Sequence, residues 1–319
     1  MRALLLLASA CGLQSGRTAR RSSVRMAALA PGSKVLAVGN GPVFLLAAKT
    51  AAAAGYGTTI VSARSELFNQ LLWAEDEAPS ENLQILGVTE DEDVSAFNEA
   101  VANADGLLIA FDAEQTLTDT LLDVVLPAEG GATRVVLLSK NLSGKGMGPF
   151  VSASKVAANK EVWAAPPERV EMYRAFEAKL AAKVAAKGGE LTTVRAGTLK
   201  GGGPGDPDSV QNVAATLAPR FYSEIVSDLV NWQLLFDCET RGVTLTPGDT
   251  AEGPGFQAVF TATASDARPG DSGRIQVAQA LVRSLAIDKA GGKEFGVKTK
   301  ASRDHPSDAD WEAEFARVL

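Results

Sequence analysis

From residue 34 onward, short apolar runs and helical patterns take turns along the chain. Lys34–Val38 (KVLAV) is an apolar run closed by Gly39, the pattern of a buried strand. Val43–Ala54 is rich in Ala and Leu and ends at Gly55, which predicts a helix with a glycine stop. Thr58–Ser62 is β-branched and predicts a second strand, and Leu83–Val88 a third. Asp93–Asn103 carries Val94, Phe97 and Val101 on one side of a short amphipathic helix. A fourth strand follows at Gly106–Phe111, then a helix over Thr116–Leu126 stopped by Pro127, then a fifth strand at Arg134–Ser139. Such a βαβαβ series with short connections predicts an α/β fold, a parallel sheet covered by helices on both faces. Right-handed crossovers then leave few topologies besides the doubly wound, Rossmann-like one.

The second half continues the pattern less regularly. Pro166–Lys187 is a long helix whose Tyr173, Phe176, Leu180 and Val184 form one apolar stripe, and Gly188-Gly189 ends it. Leu191–Arg195 returns to the sheet. Gly201–Asp208 is a loop, and Ser209–Ala218 and Arg220–Phe236 are helical patterns interrupted at Pro219. Phe256–Thr263 alternates as a strand does, and Ile275–Ala286 places Val277, Leu281 and Leu285 four apart. After Thr299 a charged tail closes around Trp311, Phe315 and Leu319. No linker is long enough for two independent domains. One domain over 31–300 is expected, with an insertion at 205–271 and a tail at 301–319.

The first thirty residues differ in kind. MRALLLLASACGLQSG has a basic start, an apolar core and then small residues, the layout of a signal peptide. RTARRSSVRMAALA is basic, contains Ser and Ala and lacks acids, which is transit-peptide composition. In series the two resemble the bipartite presequence of plastid proteins in algae with secondary plastids, with Gly12 and Leu13 where the best-known version has Phe. A mitochondrial or primary-plastid transit peptide is the alternative; a plastid location, reached through a cleaved presequence, is the expectation adopted. Cleavage would remove Cys11 and leave Cys238 alone, so no internal disulfide is expected.

Charge narrows the partners. The chain of 319 residues carries 31 Lys plus Arg against 38 Asp plus Glu, a net −7. Removing Arg2, Arg17, Arg20, Arg21 and Arg25 leaves 26 bases against the same 38 acids, or −12. So acidic a body is a poor nucleic-acid binder, since that affinity comes from neutralising phosphates. No apolar run approaches the ~20 residues of a spanning helix. His305 is the single histidine and no His–Cys cluster exists, so no metal site is expected.

The chemistry concentrates at the first turn. VLAVGNGPVFLLAAK puts Gly39 and Gly41 after a strand and before a helix, where backbone N–H groups and a positive helix end suit a pyrophosphate. Pro42 fits a first helical turn. Phe44 takes the third position of G-x-G-x-x-G, where glycine permits close helix–strand packing, so the ring must push the helix outward or rotate into a gap. A tight βα turn without ligand is the plain alternative. Arg64, just past the second strand, suits the 2′-phosphate of NADP, whereas an acid would favour NAD.

The order of these signals resembles the atypical short-chain dehydrogenase/reductase superfamily, in its NAD(P)-binding, isoflavone-reductase-like and chloroplast branches. Arg134–Lys140 (RVVLLSK) is similar to its VVxxSS strand, with Ser139 at the first serine and Lys140 replacing the second. Leu191–Gly203 (LTTVRAGTLKGGG) resembles TIVRPGxL, with Ala196 for Pro. Gly273–Leu285 resembles its later helix entry, and Lys293–Val297 (KEFGV) its closing KTFEV strand. The resemblance spans roughly Lys34–Lys298, with Gly205–Asp271 poorly matched. It implies a dinucleotide cofactor, NADP before NAD, held by Gly39, Asn40, Gly41, Pro42, Val43, Arg64, Val88, Ser139 and Lys140, with Asp112 on the adenine side. It also implies a substrate side built after residue 205, where Trp232, Phe236 and Phe256 line either a pocket, a partner groove or simply core.

Oxidoreductases of this superfamily pair a Tyr with a Lys four residues on, so that the ammonium lowers the phenol pKa. Here Tyr173 is followed at that spacing by Glu177, and Lys179 lies on another helix face. A carboxylate there would raise the phenol pKa, and the apolar stripe favours a core-edge tyrosine. Lys140, from a different element, is a candidate stand-in. Three functions remain open: an NAD(P)-binding protein lacking the usual pair, with a binding or regulatory role beside a plastid protein partner; an NADP-dependent reductase or epimerase with non-standard acid–base residues; and a nucleotide-free scaffold with Phe44 filling the pyrophosphate site.

Overall fold

A computed structural model describes residues 28–62, 65–75, 77–87, 94–111, 118–142, 167–202, 217–221, 240–250 and 271–319. Its chain order is β1 (Lys34–Asn40), α1 (Gly41–Ala53), β2 (Gly57–Ser62), α2 (Ser65–Leu72), β3 (Leu83–Gly87), α3 (Ser95–Ala102) and β4 (Gly106–Phe111). Then follow α4 (Asp119–Val125), β5 (Arg134–Lys140), α5 (Pro167–Ala186), β6 (Glu190–Ala196), β7 (Thr198–Lys200) and β8 (Gly242–Pro247). β9 (Asp271–Gly273), α6 (Arg274–Ala286), β10 (Glu294–Lys300) and α7 (Asp308–Val318) complete it.

Eight strands form one sheet in the order β3-β2-β1-β4-β5-β6-β10-β8, parallel except for the antiparallel edge strand β8 on β10. β1 pairs with β2 from Lys34↔Gly57 and with β4 from Val35↔Gly106 to Asn40↔Phe111. The order reverses between β1 and β4. That is the doubly wound, Rossmann-like fold expected from the alternating pattern, with its crevice at the carboxyl ends of those two strands.

Alternation along each strand sorts the core into two layers. Val35, Ala37, Leu108, Val136 and Val194 face α1, α6 and α7, where Leu46, Ala48, Leu281, Leu285, Trp311 and Phe315 pack. Leu36, Val38, Ile109, Val135 and Leu137 face α3, α4 and α5 through Phe97, Leu122, Phe176, Leu180 and Val184. Central strands buried on both faces have no polar alternation, which is why β4 (GLLIAF) is buried throughout. Trp311 and Phe315 place the tail helix within the core. Packing at the other end begins with Leu29, whose N–H donates to the Leu285 carbonyl at 2.9 Å and whose side chain lies against Gly106.

Four elements go beyond the predicted set: α2, β8, and the strands β7 and β9 that pair as a small second sheet. β8 has the right alternation, with Val243 and Leu245 buried between threonines, but it lies within the stretch assigned to the insertion. Most of the helices predicted over 209–236 and all of the strand Phe256–Thr263 lie outside the described residues.

Candidate functional site

The crevice end of β1 carries the turn that the sequence singled out. Gly39 is there for close approach: a Cβ would sit 1.8 Å from the Ala110 carbonyl oxygen of β4 and 2.9 Å from a Phe44 ring carbon. Gly41 has φ +83°, a left-handed conformation that only glycine adopts without strain. Asn40 is extended at the helix N-cap and its side chain makes no capping hydrogen bond; Pro follows in the first turn, with no acid. The leading helical N–H groups lack intrahelical partners. Gly39, Asn40, Gly41 and Pro42 are half-buried and reachable. Val43 has its side chain in the core, so only its amide can serve a ligand.

Phe44 settles as the second of the two outcomes its position demanded. Its ring is 1% exposed, belongs to the core layer under α1, and tilts against Phe68 at 6.2 Å between centroids. It is enclosed by protein and does not lie open across the turn. The turn thus fits a pyrophosphate by backbone conformation, by lack of a side-chain cap and by helix polarity. Arg64, Val88 and Asp112 lie outside the described residues, as do Trp232, Phe236 and Phe256.

Two strands away, at the carboxyl ends of β5 and β6, is an ionic cluster. Arg195 of β6 is fully buried. Its guanidinium donates to Glu177 at 2.9 and 2.7 Å, to Glu294 at 2.6 Å and to the Lys140 carbonyl at 2.8 Å. Burial alone would lower its pKa; hydrogen bonds and charge from Glu177 and Glu294 outweigh that and hold it above the ordinary arginine value. Ser139, 2% exposed, donates to Glu177 at 2.5 Å and accepts from Arg195 at 3.2 Å, so its hydroxyl is engaged within the protein. Arg174 bonds Glu177 at 3.4 Å and also Asp249, whose carboxylate accepts from the Leu142 N–H at 3.1 and 3.2 Å.

This cluster explains the glutamate one turn after Tyr173. Glu177 shares the inward face of α5 with Tyr173 and Leu180, and a carboxylate on that face needs a cation. The cation is Arg195, near the end of a strand that runs Leu191, Thr192, Thr193 and Val194 before it. Two oppositely charged residues, each at an inward position, were the available signal. Glu177 and Arg195 form an ion pair at 2.7 Å, with Arg195 fully buried. Tyr173 is 4% exposed, as a core-edge tyrosine should be, and the exposed Lys140 holds its ammonium 5.3 Å from that ring's centroid. The two candidates from different elements are therefore together.

Asn141 follows Lys140, and nothing in the sequence marked it. Both polar atoms of its carboxamide are buried without a hydrogen-bond partner among the described residues, although its own N–H donates to the Ala196 carbonyl at 2.9 Å. A cavity of about 470 Å³ opens elsewhere, lined by Lys34, Thr59, Gln84, Glu99 and Asn103 among others. It lies at the amino ends of β1–β3, opposite the end where doubly wound folds bind ligands. Among the described residues no group of three His, Cys, Asp or Glu could hold a metal, and no helix is long and apolar enough to cross a membrane.

No protein-family model matches the chain, and no curated protein matches it. Solved structures do. An oxidoreductase from Lactococcus lactis is 11% identical, over 88% of this chain and 97% of its own, with a TM-score of 0.45. The yeast methylglyoxal/isovaleraldehyde reductase Gre2, solved with NADPH, is 11% identical over 82% of this chain and 74% of its own, with a TM-score of 0.45. A nucleoside-diphosphate-sugar epimerase from Pseudomonas aeruginosa is 13% identical over 89% and 83%, with a TM-score of 0.40. These neighbours are of oxidoreductase, reductase and epimerase type; the Rossmann-like α/β fold of this chain is read from its own strand order.

Proposed function

We propose that this chain binds a nicotinamide dinucleotide, NADP in preference to NAD, and serves a binding or regulatory role in the plastid without the usual Tyr/Lys catalytic pair. The carrying observation is the β1–α1 turn: Gly41 at φ +83° and a helix start without a side-chain cap, at the point where strand order reverses. Gly39, Asn40, Gly41 and Val43 would hold the pyrophosphate through backbone N–H groups, with Pro42, which has none, setting the first helical turn, and Arg64 would hold the 2′-phosphate. When bound, the cofactor supplies hydride-transfer chemistry. The plastid assignment rests on the composition of residues 1–30.

The test is titration of the protein with NADP⁺ and NAD⁺ by calorimetry, with melting as a second readout. Ligand at 100 times its Kd should stabilise by about 2.7 kcal/mol. Arg64→Ala should weaken NADP⁺ by about tenfold or more through loss of a charge-assisted contact and leave NAD⁺ nearly unchanged. Equal losses would contradict the NADP preference. No binding of either would favour the nucleotide-free scaffold.

A second reading, an NADP-dependent reductase or epimerase, is favoured by one contact. The Lys140 ammonium over the Tyr173 ring puts a cation beside that ring although Glu177 takes the place of the usual lysine one turn on in α5. On this reading Lys140 supplies a positive charge beside the ring and Tyr173 exchanges a proton with substrate. Turnover of NADPH with an aldehyde, ketone or enone that is lost in both Lys140→Met and Tyr173→Phe would support it. Turnover surviving both substitutions would refute it.

A further inference from the structure

Asn141 stands out among the buried polar groups by its place in the fold. It is the first residue beyond β5, and its backbone is pinned on both sides. Its own N–H bonds Ala196 at the end of β6, and the next N–H, of Leu142, bonds the Asp249 carboxylate. Yet its carboxamide, one donor group and one acceptor, is cut off from solvent and has no hydrogen-bond partner among the described residues. Buried polar groups are nearly always satisfied, and leaving two unmade on one side chain is costly. Short of a ligand, leucine would serve better here.

The position points to the ligand. A doubly wound sheet is two mononucleotide-binding halves, and a dinucleotide lies across the crevice between them. The turn at Gly39–Val43 and the end of β2 belong to the first half, which leaves the ends of β4, β5 and β6 for the second nucleotide. In a nicotinamide dinucleotide that second unit ends in a carboxamide, itself one donor group and one acceptor. A fixed carboxamide satisfies another with two reciprocal hydrogen bonds. We infer that Asn141 is the residue that recognises the nicotinamide carboxamide. This inference rests on the dinucleotide reading and adds to it a specificity residue on the reactive side.

The experiment compares ligand pairs that differ only by nicotinamide: NADP⁺ with 2′-phospho-ADP-ribose, and NAD⁺ with ADP-ribose, titrated by calorimetry into the full chain and Asn141→Leu. The expected result is a loss of about tenfold or more for the nicotinamide-bearing ligand, as for one or two lost hydrogen bonds, with the affinity of its truncated partner unchanged. Without ligand, Asn141→Leu should unfold at the same or a higher urea concentration than the parent chain. Should leucine not fit, Asn141→Ala should split each ligand pair the same way. Equal affinity of parent and variant for the nicotinamide-bearing ligand would overturn the inference while leaving dinucleotide binding intact. Failure of the parent chain to bind any of the four would instead overturn the dinucleotide reading, and this inference with it.

Discussion

Replacing Arg195 with methionine tests the arrangement at the carboxyl ends of β5 and β6. Methionine keeps much of the stem volume and removes every hydrogen bond of the guanidinium. Arg195 is fully buried, and Glu177 has 12% of its side chain exposed against 38% for Glu294. Glu294 therefore regains water cheaply. Glu177 does not: among the described residues it keeps Ser139 and the exposed Arg174 at 3.4 Å. Breaking a buried pair from one side costs about 3–5 kcal/mol, because a charge is left uncompensated. The partial exposure of Glu177 and the remaining Arg174 contact place Arg195→Met near the lower end, about 3 kcal/mol. The double variant Glu177→Met/Arg195→Met removes both charges and should come back to within about 1 kcal/mol of the parent, as buried pairs replaced by apolar residues do. The assay is equilibrium urea unfolding followed by circular dichroism and tryptophan fluorescence, whose transitions must coincide for the free energies to be compared. An Arg195→Met cost below about 1 kcal/mol, or a double variant as unstable as the two single costs added together, would refute the reasoning.

Two further outcomes follow from the packing. Gly39→Ala places a methyl 1.8 Å from the Ala110 carbonyl oxygen, a backbone atom that cannot swing away, so β1 must part from β4; a loss of about 3 kcal/mol or more is expected on unfolding, and a variant within about 1 kcal/mol of the parent would contradict that clash. Burial pushes the Tyr56 phenol above its ordinary value, and its hydroxyl donates to the Leu29 carbonyl at 3.4 Å. An acid with a raised folded pKa contributes stability that is full below its unfolded value, near 10, and is lost as pH rises through the folded one. The parent should therefore lose stability above about pH 10 more steeply than Tyr56→Phe in urea unfolding at stepped pH, whereas parallel profiles would show that Tyr56 carries no such linkage.

The sheet was legible because its signal is local. Apolar runs such as KVLAV and GLLIAF alternate with helical stripes at short spacing, and chirality then leaves few topologies besides the doubly wound one. Phe44 was legible only as a dilemma: either the helix shifts or the ring finds a gap. Which occurs depends on Phe68 and the layer beneath α1, residues distant in sequence. The pairing of Glu177 with Arg195 was open to inference, since each is a charge at an inward position. Asn141 was not, because a polar residue after a strand looks like any loop residue until neighbouring strands shut out water.

By itself the sequence determined the alternation of strand and helix, the glycine-marked turn, the acidic body and the distinct composition of the first thirty residues, because periodicity, backbone permissiveness and charge belong to short stretches of chain. The tertiary structure decided which charges meet, where the aromatic ring goes and which carboxamide is left unsatisfied. Those depend on what lies within a few ångströms, and a folded chain brings there residues that are tens to hundreds of positions apart.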